Sequence, residues 1–253
     1  MSFISILKSE LMKYKRSVLW KGVFLIPILS FAMLFADLHI RGSFLMSNDH
    51  IKHLAEIGIY GKLEALLYEN HLATLWFMLI NLSIVVVAVI VNYTEYSENT
   101  WKQIIARPVE RRRIYISKWI IVLIAAIILV VLNGVSIMVV KNFFGINGDS
   151  TLIFKYKILE MCTVLGVVSF QQFISCYMKN SLASAAVGFA GSIGAYMFAQ
   201  SKLLSYIIPY ANVILALPSE GNKDAQAAAF FGIASGVLWL VIGIIEFNKR
   251  DIK

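Results

Sequence analysis

Charge is what this 253-residue chain has least of: Asp, Glu, Lys and Arg make up 15% of it, against 59% apolar residues. Soluble domains run nearer to about 25% charged and about 45–50% apolar, so a wholly water-exposed fold is excluded. Cysteine is almost absent. Cys162 and Cys176 fall inside one apolar segment, which argues against a disulfide framework and leaves them as packing residues. There are only four prolines, so little interrupts long helices. No G-x-x-x-x-G-K-[ST] run occurs, and the chain therefore builds no P-loop. Gly145-Ile-Asn-Gly148 lacks the Lys and the hydroxyl and reads as a turn. H-E-x-x-H is also missing. His50-Ile-Lys-His53, with Asp49 and Glu56 nearby, is a weak zinc pattern better read as a solvated loop, and no metal site is assigned. No internal repeat or low-complexity tract is present.

What the chain does have is apolar blocks of about 20 residues, the length that crosses a bilayer core as a helix. They predict an all-α membrane protein with six spans, near 18–38, 72–92, 116–140, 158–178, 181–200 and 226–247. The whole of 1–253 reads as a single transmembrane domain. Lys179 and Asn180 alone join the fourth and fifth spans in a tight hairpin. The basic stretch before Val23–Ala36 also fits a signal peptide, but no small-x-small cleavage site follows, and a retained first helix is expected. Residues 2–16 set Phe3, Ile4, Leu7, Leu11 and Tyr14 opposite Lys8, Lys13 and Lys15, the pattern of an amphipathic helix lying on the membrane surface. Glu10, Lys13 and Arg16 are its candidate surface anchors. A simple charged tail is the alternative.

Cations cluster at span ends, which reads as topology rather than nucleic-acid binding. With the N-terminus inside, 15 of the 23 Lys and Arg residues fall on cytosolic pieces, six of them in Lys102–Lys118, so both termini are expected in the cytosol. Two outer segments look structured. Residues 41–71 carry an amphipathic pattern, and 201–225 are apolar at first but broken by Pro209 and Pro218, as in a re-entrant or interfacial hairpin before span six. Gly188, Gly191, Gly194 and Gly232-Ile-Ala-Ser-Gly236 suit close helix packing, first of all within one subunit. Asn81, Asn133, Gln171 and Gln172 lie inside spans and read as hydrogen-bonding glue between helices. Asp37, Glu160 and Glu246 are placed near span ends, and no span shows a buried charge ladder, which argues against a proton-coupled transporter. No span carries a histidine or a catalytic dyad, which argues against an intramembrane hydrolase.

The loop between spans two and three is the most informative stretch. Glu95–Ala106 has helical composition, with Tyr93, Trp101 and Ile104 or Ile105 able to share an apolar face. Arg107-Pro108 stops it, and Arg111, Arg112 and Arg113 restart the chain. A short helix at 95–106, held parallel to the membrane and stiffly joined to two spans, can pass a push from a soluble partner into the bilayer. An ordinary positive-inside loop is the plainer alternative.

Here the chain resembles the permease subunits of ABC-2 type ATP-binding-cassette transporters. Glu95, Asn99, Thr100, Ile104, Pro108 and Lys118 follow the order of that family's first cytosolic loop, and Glu10-Leu-Met-Lys-Tyr-Lys-Arg-Ser17 looks like its opening. Within the family it is most similar to lantibiotic-immunity and bacitracin-resistance permeases. The resemblance implies a multi-pass subunit of the bacterial cytoplasmic membrane that pairs with a second permease, identical or different. It implies two copies of a separate ATPase, which would bind the ATP and Mg²⁺. This chain would hold no cofactor and would not itself be an enzyme. The loop helix would dock on the ATPase, with Glu95, Thr100, Trp101 and Ile104 as the coupling face, and Glu95 would pair with the partner or with the nearby arginines. The substrate would be an amphiphilic, lantibiotic-like peptide expelled from the membrane. Another exported amphiphile or drug, or peptide sensing without transport, are the competing readings.

Overall fold

The structure, a computed structural model, describes residues 3–97, 110–178, 180–217 and 224–250. Among them there is no strand, and six helices are long and apolar enough to cross a membrane. Phe3–Tyr14 is α1 and Val18–Leu45 is α2, capped by the Ser17 hydroxyl, which accepts from the Leu19 N–H at 3.2 Å. Two short helices follow, α3 (Asn48–Ala55) and α4 (Lys62–Tyr68), and a π turn at Glu69–Ala73 leads to α5 (Trp76–Ser97). Then come α6 (Arg111–Phe143), α7 (Thr151–Tyr177) and α8 (Ser181–Phe198). The short α9 (Lys202–Ile207) and α10 (Pro209–Asn212) precede α11 (Asp224–Lys249).

All six expected spans are present, displaced at their ends by a few residues. The second begins at Trp76 rather than 72, because the apolar run starts inside the π turn and the chain reverses through Leu75, whose φ is +57°. Its six crossings define two ends of the bundle. The near end carries α1, the start of α2, α6 and α8 and the finish of α5, α7 and α11. The far end carries α3, α4, α9 and α10. Pro209 opens α10 at its first helical position, with Ile208 before it in extended geometry, as proline demands.

Burial divides the spans into two classes. The central stretches of α5, α6 and α7 are 56%, 50% and 56% buried, whereas those of α2, α8 and α11 are 28%, 22% and 28% buried. The first three form the core and the others present their apolar faces outward, as a lipid environment allows. Close packing explains the Gly232 position. A Cβ there would lie 2.5 Å from the Cys162 carbonyl oxygen and 2.5 Å from the Thr163 Cα, so α11 meets the backbone of α7 within the one chain. The amides inside the spans bond between elements: Asn81 donates to the Tyr210 carbonyl at 2.9 Å, Asn92 donates to Gln172 at 2.9 Å, and Gln171 accepts from the Tyr210 hydroxyl.

Candidate functional site

Helix α1 buries Ile6, Glu10 and Tyr14, one side of three successive turns. Glu10 thereby meets two residues far along the chain. Glu95 stands near the end of α5 and Lys118 two turns into α6, and both are almost wholly enclosed, at 2% and 0% exposure. Lys118 Nζ donates to Glu95 Oε1 at 2.9 Å, to Glu10 Oε2 at 3.1 Å and to the Val91 carbonyl at 3.2 Å. Lys13 Nζ adds bonds of 2.5 Å to Glu10 Oε1 and 2.6 Å to Glu95 Oε1. Tyr14 donates its hydroxyl to the same Val91 carbonyl at 2.9 Å, and burial pushes its pKa up to about 12, so it stays a donor. Two carboxylates and two ammonium groups therefore meet in one cluster, enclosed except at the exposed Lys13, that ties together α1, α5 and α6.

The site residues expected from sequence divide into three groups. Glu10, Lys13 and Glu95 are brought together. Arg16 is exposed and has no ion pair among the described residues. Thr100, Trp101 and Ile104, with Asn99 and Pro108, lie outside the described residues, as does most of the expected helix at 95–106. Among the described residues, Glu95 faces Lys13 and Lys118. Of the arginines after the loop, two bond to Glu110, which accepts from Arg112 Nε at 2.5 Å and Arg113 Nε at 3.2 Å; its carboxyl is held below the usual range first by the Arg112 bond, while Arg111 donates to the Arg250 carbonyl at 2.7 Å. The described helices on either side of residues 98–109 are thus both anchored, α5 through Glu95 and α6, seven residues in, through Lys118.

At the far end a second buried cluster was missed by the sequence reading. Glu160, expected near a span end, is fully enclosed nine residues into α7, and Lys157, counted as an outer-loop cation, lies beside it at 2.7 Å. Glu160 also accepts from Trp76 Nε1 at 2.7 Å. Lys157 donates to Asn133 Oδ1 at 2.5 Å and lies 4.0 Å from the Tyr156 ring centroid. Asn133 in turn exchanges bonds with Asn70 and donates to Ser30. The charges were misplaced because a lone carboxylate in an apolar run is expected to sit at a span end. The Lys157–Glu160 spacing of three residues was the available signal, since it stacks the pair on one helix face.

His71, just before α5, closes this cluster. Its Nε2 lies 3.1 Å from each of the carbonyls of Val213 and Ile214, so that nitrogen carries the hydrogen. In the neutral ring Nδ1 then accepts from the Tyr156 hydroxyl at 2.7 Å. Tyrosine has one hydroxyl proton, so the 3.3 Å approach of Tyr156 to Glu160 is not a hydrogen bond in that state. Burial, more than any charge nearby, lowers the His71 pKa to about 4, which keeps the ring neutral at ordinary pH.

No curated protein matches the chain. Against protein families, residues 6–195 match the ABC-2 family transporter protein. That stretch contains Glu10, Glu95 and Lys118 as well as four whole spans and most of the fifth. The membrane domain of this family is a permease component and not a nucleotide-binding one, which agrees with a chain that has apolar spans and no P-loop. The chain belongs to the ABC-2 family of transporters, and its role is membrane transport.

Proposed function

We propose that the chain is the permease subunit of an ATP-driven exporter that expels a lantibiotic-like amphiphilic peptide from the bacterial cytoplasmic membrane and so confers immunity or resistance. Two such subunits, identical or different, pair and engage two copies of a separate ATPase that binds ATP and Mg²⁺. The near end of the bundle is cytosolic, in line with its excess of cations, and both termini lie there. Helix α1 rests at the membrane surface, and residues 98–109 dock on the ATPase through Thr100, Trp101 and Ile104.

The observation that carries this reading is the Glu10–Lys13–Glu95–Lys118 cluster. A push on a loop does work on the bundle only if the loop's roots do not give way. Here both roots and α1 are held by charge-assisted bonds inside a low-dielectric enclosure, where such bonds are strong. Closure of the ATPase then displaces α5 and α6 together rather than bending the loop between them. Glu95 serves this frame as a positioning residue.

The test compares Trp101→Ala and Glu95→Gln in cells expressing the whole complex. Trp101→Ala should leave the permease inserted and abundant but weaken ATPase recovery on pull-down and abolish peptide resistance. Glu95→Gln should retain ATPase binding yet lose resistance, because the push is no longer delivered. Full resistance in both variants would sink the coupling mechanism. A panel of lipid-directed peptides with no shift in resistance for the unmodified complex would sink the peptide substrate and favour another amphiphile.

A further inference from the structure

Between α2 and α5 lies an open groove of about 210 Å³. It runs from Val18 and Ile90 at the near end to Ile26 and Leu79, about 12 Å along α2 at 1.5 Å per residue. Its lining is apolar apart from Ser83, whose hydroxyl is already given to the Leu79 carbonyl at 2.6 Å. Gly22 is part of the lining, and a Cβ built there would meet nothing within 4 Å. No close helix contact therefore requires glycine at that position, and glycine is a poor helix former. Its effect is to leave the space open. A helix, about 10–12 Å across with its side chains, is too thick for this groove, whereas a single alkyl chain matches it. Lys15 and Arg16 precede the lining residue Val18 by three and two positions and Lys21 adjoins Gly22; all three are exposed and have no carboxylate partner among the described residues.

We infer that this groove binds one acyl chain of an anionic glycerophospholipid from the near-end leaflet, with the lipid phosphate held by the cations at Lys15, Arg16 and Lys21. The chain completes the seam between the first span and α5, the span that ends in Glu95. The inference needs only the membrane-spanning fold, and its readout involves no transport, so it stands or falls apart from the export proposal.

The full chain, reconstituted in nanodiscs with a phosphatidylglycerol bearing a diazirine on its acyl chain, is illuminated and its labelled peptides mapped. Labelling should concentrate on residues 18–26 and 79–90, at least fivefold above equal lengths of the lipid-facing α8 and α11. Gly22→Leu and, separately, Ser83→Leu should each cut it at least fivefold without changing the unfolding temperature. Replacing Lys15, Arg16 and Lys21 by Gln should remove a preference of threefold or more over the matching phosphatidylcholine probe. Uniform labelling of all outward-facing helices, labelling that survives Gly22→Leu, or equal labelling by the two headgroups would overturn the proposal. So would copy-to-copy cross-links through Leu25 and Val86, which would show a second subunit covering the seam.

Discussion

The two ends of the bundle each bury a Lys–Glu pair, but they hold it differently. At the near end the groups come from three helices, and Lys118 has acidic partners on both α1 and α5. The joints between elements are ionic. At the far end the pair lies within one turn of α7, and the links to other elements are neutral: the Trp76 N–H, the Asn133 amide and the His71–Tyr156 bond. A pair shared between helices fastens them, whereas a pair inside one helix only has to be made tolerable in an apolar setting. The near end should therefore fail when a charge is removed, and the far end when a proton is added.

The largest contrast is expected from the lysines. Lys118→Met strips the cation that Glu10 and Glu95 share and leaves two enclosed carboxylates side by side. Breaking a buried pair in this way costs about 3–5 kcal/mol. Thermal unfolding in detergent should show that loss, with α1 becoming open to protease. Lys157→Met should cost less, because Glu160 keeps the Trp76 bond and no second carboxylate stands beside it. An equal or greater loss from Lys157→Met would break the comparison.

The next effect is a pH dependence confined to the far end. His71 has its pKa lowered from 6.5 to about 4, so between those values the unfolded chain binds a proton that the folded chain refuses. Stability then rises with pH, and this contribution is lost as pH falls from 6.5 to about 4, by on the order of 3 kcal/mol in full. The groups facing the ring are Glu160, Lys157 and Tyr156, together with the Val213 and Ile214 carbonyls. Protonation places a hydrogen on Nδ1, which then donates to the Tyr156 oxygen and turns that hydroxyl toward Glu160. Unfolding temperatures of the native chain and of His71→Gln, measured across this window, should converge as pH falls. Parallel curves would remove His71 from the account.

The smallest effects separate charged from neutral acceptors. Trp76→Phe deletes a donor to a buried carboxylate and should cost about 1.5–3 kcal/mol. Tyr14→Phe deletes a donor to the Val91 carbonyl, which keeps Lys118, and should cost about 0.5–1.5 kcal/mol. Chemical denaturation of both variants ranks them, and the reverse order would blur the distinction between the ends.

These contrasts also explain what was legible in the sequence. The six spans stood out because an apolar run of span length has few other uses, and their ends shifted because helices continue past the hydrocarbon, as α6 does at Arg111 and Phe143. Glu10, Lys13 and Glu95 were singled out through the family's opening and loop. Their pairing with Lys118 was not visible, since positions 10, 95 and 118 carry no periodic relation and meet only through packing. Lys118 itself read as a topological cation and as the downstream lysine of the family's loop, not as a buried partner. His71 was not singled out, because nothing in the sequence says that the backbone at Val213 and Ile214 folds back over it. The outer segments were expected to be helical and broken, and Pro209 marked the break.

One feature of α6 joins the two clusters. The helix runs for 33 residues, Arg111 to Phe143, without a proline, and it carries both Lys118 of the near cluster and Asn133 of the far one. Fifteen residues separate them, about 22 Å of rise, and at 100° per residue the two side chains leave the axis only about 60° apart. An unbroken helix transmits torsion. A turn of about 20° about its axis sweeps a side-chain tip at a radius of 5–6 Å through about 2 Å, enough to part a hydrogen bond. The helix is thus a shaft: it cannot be rotated to loosen Lys118 from Glu95 without also dragging the Asn133 amide from Lys157 and Asn70, some four turns away.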